Sequence, residues 1–178
     1  MKRIVLVLPA FAAACAIGCG DHAASVTLAH GRLSVHPHEV TIERTGGPDA
    51  HLLAGGVLRI GSEDVTLTAE QKATVETYYN AALAITEHGI ATGKAGAEVG
   101  AVAAKEVVSG LAHGDTSQIG AKVEASAAKV KEQALRICDD FKAMHAAQEA
   151  LAAALPAFEP YRALSEADVS DCRKDLKD

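Results

Sequence analysis

Two stretches of this chain carry nearly the same text. Residues 30–42 read HGRLSVHPHEVTI and residues 55–67 read GGVLRIGSEDVTL, an offset of 25. Gly31 aligns with Gly56, Leu33 with Leu58, Val35 with Ile60, and Val40-Thr41-Ile42 with Val65-Thr66-Leu67. Leu33 and Val35 alternate with polar neighbours, as do Leu58 and Ile60, which is the period-two pattern of half-buried strands. A short polar stretch, HPH or GSE, divides each copy into two runs, so each copy predicts a β-hairpin. The turn-rich TGGPDA at 45–50 predicts a loop between them. One hairpin is marginal in water, whereas four strands with a common apolar face hold together. The duplication therefore predicts a small antiparallel sheet across 25–67, the second hairpin lying beside or over the first.

Thr68-Ala69-Glu70-Gln71 ends that pattern. Thr followed three residues later by Gln is a capping box, and Val75, Tyr78, Tyr79, Ala82, Leu83 and Ile85 then recur at helical spacing, predicting a helix over 69–87. The Gly-rich segment 89–114 comes next, with Gly89, Gly93, Gly96 and Gly100 at steps of four, three and four. Each interior Gly costs a helix about 1 kcal/mol relative to Ala. Small residues so spaced let helix backbones approach closely, which makes these four glycines candidate helix-packing positions. Three readings stay open: a tightly packed soluble helix, a flexible connection, and a segment that touches membrane or self-associates. Lys94, Glu98, Lys105 and Glu106 exclude an ordinary transmembrane span. From about Thr116 a long helix is predicted. Val123, Ala127, Val130, Ala134, Ile137, Phe141, Met144, Leu151 and Leu155, with Gln148 in the one polar place, step by fours and threes. That is the seam of a coiled-coil-like helix. Pro156 stops it, Pro160 predicts extended chain, and Ser165 with Asp168 predicts the cap of a short last helix.

The chain opens MKRIVLVLPAFAAACAIGCGD. Lys2 and Arg3 precede an apolar run from Ile4 to Ile17, too short for a bilayer core, which needs about 20 residues, but suited to a secretory leader. Ala16-Ile17-Gly18-Cys19 resembles a bacterial lipobox with Ala16 where Leu is usual; that reading makes 1–18 a lipoprotein signal peptide, Cys19 the acylated residue and 19–24 a tether. Cleavage near Ala14 or Ala16, giving a soluble periplasmic protein, stays open. Lipidation leaves one pair, Cys138 and Cys172, whereas cleavage after Ala16 leaves an odd thiol outside the cytoplasm. An oxidising envelope would join that pair, and closing the loop between them is worth about 3–4 kcal/mol. Gly20 stands where an inner-membrane retention signal carries Asp, so the resemblance implies the outer membrane of a Gram-negative cell.

The chain has 17 Lys+Arg against 23 Asp+Glu, and losing Lys2 and Arg3 with the leader makes it more acidic still. That balance excludes phosphate-backbone binding, so no nucleic-acid partner is expected. His36 and His38 are a candidate copper or zinc pair, with His22, His30 and His51 also in the N-terminal part. They align with Gly61 and Glu63 of the second copy, which places them at a hairpin tip. His145 and Glu149, four apart, predict a helical ion pair, Asp139-Asp140 a charged outer face, and Tyr78-Tyr79 core. No nucleophile elbow, zincin, Walker or dinucleotide motif occurs in its required context, so neither an enzyme nor a cofactor is expected.

GGVLRIGSEDVTLTAEQKATVETYYNAAL, the Gly-rich middle and ALRICDDFKAMHAAQEALAAALPAFEPY together resemble the YggN-like family of bacterial envelope proteins, over about residues 28–162. The resemblance implies a periplasmic or membrane-anchored protein and supplies no catalytic residues. The expected fold is α+β: the repeated-hairpin sheet over 25–67, then a helical region over 68–178 of three to four helices clasped by one disulfide. The expected role is a non-enzymatic structural or interaction module on a membrane, with an envelope partner or self-association. The alternative is a periplasmic metal- or small-ligand-binding protein using the His of the β region.

Overall fold

The computed structural model describes residues 24–28, 31–113 and 119–176. The leader 1–18, Cys19, most of the tether, His22 and His30 lie outside the described residues. Strands β1 (Ala24–Leu28), β2 (Gly31–His36), β3 (Glu39–Glu43), β4 (Ala50–Leu53), β5 (Val57–Ile60) and β6 (Glu63–Asp64) form an antiparallel meander in chain order. The first expected hairpin is present as β2–β3. The second forms as β5–β6, but its return strand is Glu63–Asp64, which starts in the expected polar turn, and residues 65–67, expected as strand, are not. They are not direct neighbours, because β4 stands between them and Ala50, expected in the loop, begins it. The strand is real because AHLL alternates as the others do: Ala50 and Leu52 are fully buried. The repeat thus extends further than its clearest text. Leu28-Ala29 recurs as Leu53-Ala54, and the repeating unit is a three-stranded meander, β1–β3 and then β4–β6. Cross-strand register puts Leu33, Ile42, Ala50 and Ile60 in one row and Val35, Val40, Leu52 and Leu58 in the next, all on one face.

That face is covered by helices. The capping box forms as expected: Gln71 N–H donates to Thr68 Oγ1 (3.2 Å), and Thr68 N–H donates to Gln71 Oε1 (2.9 Å). Helix α1 (Ala69–His113) runs 45 residues without a break, about 68 Å at 1.5 Å per residue. It takes in residues 89–113 of the Gly-rich segment, which are therefore helix and not a flexible connection. Helix α2 (Ile119–Ala154) is its partner, and its seam faces inward, with Met144, Gln148 and Leu151 fully buried. Val75, Tyr78, Tyr79 and Ala82 from α1 join Met144 and Leu151 from α2 and the sheet's apolar face in one core. The sheet and the base of the helices are therefore one packed unit, whatever the change of pattern at residue 68. Close approach at this junction explains Gly56. Its φ is +73°, and a Cβ there would lie 2.4 Å from the Lys72 carbonyl oxygen in the first turn of α1.

The chain after α2 does not stay extended. Pro156–Tyr161 is a 3-10 helix containing Pro160. Pro156 presets the first turn, and the three-residue period stacks Phe158 and Tyr161 on one side, where both are buried. Phe158 meets Tyr78 edge-on at 6.3 Å. Helix α3 (Glu166–Lys174) follows, with the Ser165–Asp168 capping box in place. The Cys138–Cys172 disulfide joins α3 to α2, with Cα atoms 5.7 Å apart. The molecule is thus an α+β protein with an N-terminal antiparallel sheet, following helices and one clasp.

Candidate functional site

Two tyrosines fix the head of the molecule. Tyr79 Oη donates to the Pro37 carbonyl at the β2–β3 tip (2.9 Å), and Tyr161 Oη donates to the Pro48 carbonyl before β4 (2.8 Å). Tyr78 is different: it is fully buried, its hydroxyl has no hydrogen-bond partner among the described residues, and burial pushes its pKa well up. A second polar clamp closes the C-terminal side. Gln148 Nε2 donates to the Leu164 carbonyl (2.7 Å), and Leu164 N–H donates to Gln148 Oε1 (2.9 Å). The polar break in the apolar seam is therefore a side-chain substitute for a β-ladder neighbour.

Beyond the head, α1 and α2 continue as a two-helix arm. On α1, Ile85, His88, Thr92, Ala95, Val99, Val102 and Glu106 are half-buried, at alternating steps of three and four. This is the seam toward α2. Gly89, Gly93, Gly96 and Gly100 each fall one residue past a seam position, and all four are exposed. A Cβ built on any of them meets no atom within 4 Å. Close packing within the chain is therefore corrected: the glycines lie beside the α1–α2 contact, where an added methyl has open space. From Leu83 to Val108 and from Gly120 to Ile137 no described side chain is fully buried. Ile90, Val107, Val108 and Leu135 are exposed, Val108 at 69%. Among the described residues no helix is long and apolar enough to cross a membrane.

Polar groups cross the arm near its base. His88 Nδ1 lies 2.6 Å from Asp140 Oδ2, joining α1 to α2. Asp139 pairs with Arg173 of α3. The Asp139-Asp140 pair is thus split, and the expectation of a plain charged outer face fails for half-buried Asp140. His145 Nε2 sits 3.8 Å from Glu149 Oε1, so the expected helical pair forms. Arg162 also reaches the Glu149 carboxylate, its Nε donating at 3.1 Å. Burial opposes the ionised form of Glu149, but hydrogen bonds from Arg162 and Gln148 and the charges of Arg162 and His145 outweigh it, holding its pKa below the usual carboxylate value. These residues line an open groove of about 710 Å3 with Arg44, Glu159 and Glu166. His145 and Arg162 meet at the Glu149 carboxylate, so the centre of this groove is an ion-pair latch between α2 and the residue that follows the 3-10 helix.

The sheet's other face is polar. Thr41, His51, Arg59 and Asp64 form one cross-strand row. His51 Nδ1 contacts the Glu39 carboxylate closely, and Arg59 Nε donates to Asp64 (2.9 Å). His36 and His38 are exposed at the β2–β3 turn, as the repeat implied. His51 is oriented by Glu39 and is two strands from β2. Among the described residues no group of three or more His, Cys, Asp or Glu side chains is arranged to hold a metal ion. His88 and Arg162 carried no sequence signal of their own, because their partners lie 52 and 13 residues away. Comparison of the chain with protein-family models, curated proteins and solved structures finds no match.

Proposed function

We propose that this chain is an exported, lipid-anchored envelope protein that works as a non-enzymatic interaction module, presenting its two-helix arm to a protein partner. The observation that carries this reading is the arm itself. Its outer half holds Val107 and Val108 in the open, at 50% and 69% exposure. Two adjacent valines left open to water near the far end of the arm offer apolar surface that a partner can bury. The head is the rigid base, with the tyrosine and glutamine clamps fixing where the helices leave it. A Cys138–Cys172 disulfide suits an oxidising compartment, which agrees with the leader, the Cys19 lipidation site and the resemblance to YggN-like envelope proteins. Gly20 favours outer-membrane sorting.

In the cell, a photo-reactive residue in place of Val108 should capture a protein, and the same probe on the exposed Ala150 of the head should not. Equal capture at both positions, or none, refutes the docking role. Mass spectrometry of the mature N-terminus tests the anchor separately: a diacylglyceryl-modified Cys19 is expected, and an unmodified Cys19 ends that part of the proposal.

A further inference from the structure

Helix α3 is a poor tenant of this fold. None of its residues is buried, and at nine residues it is shorter than the 12–15 at which isolated helices become even marginal in water. The disulfide to Cys138 and the Arg173–Asp139 ion pair fasten it to one turn of α2. Immediately before α3, Leu164 is buried and held by both hydrogen bonds of the Gln148 amide. Order is therefore strong up to residue 164 and weak beyond it. Past α3, Asp175 and Leu176 reach the arm, where they wall a largely apolar cavity of about 420 Å3 with Gly96, Val99, Ala127, Val130 and Ala134. The cavity is open to solvent, so the tail lies against one wall of the groove between α1 and α2 and does not fill it.

We propose that residues 165–176 are a redox-released strap: the oxidised Cys138–Cys172 bond holds α3 on α2 and so keeps Leu176 against the groove between α1 and α2, and its reduction withdraws Leu176 and exposes that wall. The reductant is a dithiol. Cys138 is 1% exposed and Cys172 is the more accessible partner. The attacking thiolate therefore bonds to Cys172 Sγ, and Cys138 leaves as the thiolate. The second thiol of the reductant then displaces Cys172. The reductant ends as its own disulfide, having given two electrons, and the protein carries two thiols after proton uptake. Gln148 keeps residue 164 in place throughout, so Ser165 is the hinge. This device goes beyond the docking role proposed above, because the groove lies midway along the arm and Val108 lies beyond it.

Deuterium exchange of the full chain, oxidised and after excess dithiothreitol, tests the strap. Reduction should bring 166–176 to within about tenfold of unstructured-chain exchange, with 31–60 and 144–164 unchanged. Hydroxyl-radical footprinting should show severalfold more modification at Val99 and Val130. A Cys138→Ser/Cys172→Ser variant should match the reduced protein without any reductant. The proposal is overturned if the bond resists dithiol under native conditions, if 166–176 stays protected, if Val99 and Val130 gain no modification, or if the sheet loses protection together with α3.

Discussion

Replacing Gln148 by Leu is the sharpest probe of how the two halves of the chain are joined. The side chain is fully buried, and its amide meets both the N–H and the carbonyl of Leu164, itself 3% exposed. Leu nearly preserves the volume, so the substitution leaves little cavity. It strips partners from two backbone groups that cannot themselves be mutated to match. Each orphaned buried group costs about 1–3 kcal/mol. Some relaxation of the 162–165 segment toward water recovers part of that, leaving about 2–4 kcal/mol. Against a total stability of about 5–15 kcal/mol, that is large, and it should move the urea midpoint down by about 1–2 M. Gln148→Glu separates hydrogen bonding from shape. Below the ordinary carboxylate pKa the introduced carboxyl is protonated and offers one donor and one acceptor, as Gln does. Burial against the Leu164 carbonyl raises its folded-state pKa, so its stabilising contribution is complete in acid and is lost as pH rises through that value. The deficit relative to wild type should therefore be small near pH 3.5 and grow toward pH 7. A Leu variant within about 0.5 kcal/mol of wild type, or a Glu variant whose deficit does not change with pH, would show that the clamp contributes nothing beyond packing.

Other perturbations carry opposite signs. Tyr78→Phe removes a buried hydroxyl that has no partner among the described residues, so thermal unfolding should show a variant equal to wild type or more stable by about 1 kcal/mol; a loss above that means the hydroxyl is in fact satisfied. Gly56→Ala should cost more than 2 kcal/mol, because it adds a positive-φ residue and drives a methyl into the Lys72 carbonyl, whereas Gly93→Ala and Gly96→Ala should each stabilise the helix by about 0.5–1 kcal/mol in chemical denaturation. The depressed pKa of Glu149 makes its contribution present above the unfolded-state value and lost as pH falls through the folded one. Arg162→Ala should therefore flatten the melting temperature between pH 5 and 3, by a small amount since Glu149 is over a third exposed.

The parts that were legible in the sequence are the local ones. Capping boxes at Thr68 and Ser165 span three residues, and the chain formed both as written. The α2 seam repeats over many turns, so its buried face could be read directly. Strand β4 escaped because its four residues adjoin GGPD, and a short alternation beside strong turn residues is masked by them. The 3-10 helix escaped because Pro160 reads as a breaker for an α-helix, although its fixed φ suits the tighter turn. The polar pairings were invisible for a different reason. His88 with Asp140, and Arg162 with Glu149, depend on which helix faces return to each other, and no local pattern encodes that.

The glycine row is the instructive misreading, because the correct pattern was one residue away. A stripe at 89, 93, 96 and 100 shows the same spacing as a seam at 88, 92, 95 and 99, since both step by threes and fours. Periodicity alone fixes the pitch of a contact but not its phase. Phase is set by which stripe buries more, and here His88, Thr92, Ala95 and Val99 bury side-chain surface against α2 that glycine does not have. The glycines are consequently left on the flank, where they cost helix stability and return no packing within the chain. A helix carrying that burden over 45 residues is held by its partner and not by its own propensity. The arm should then be the first part of the molecule to open, its amides exchanging ahead of those of Tyr78 and Met144 in the head. Uniform protection along the whole of α1 would mean that something further supports the arm.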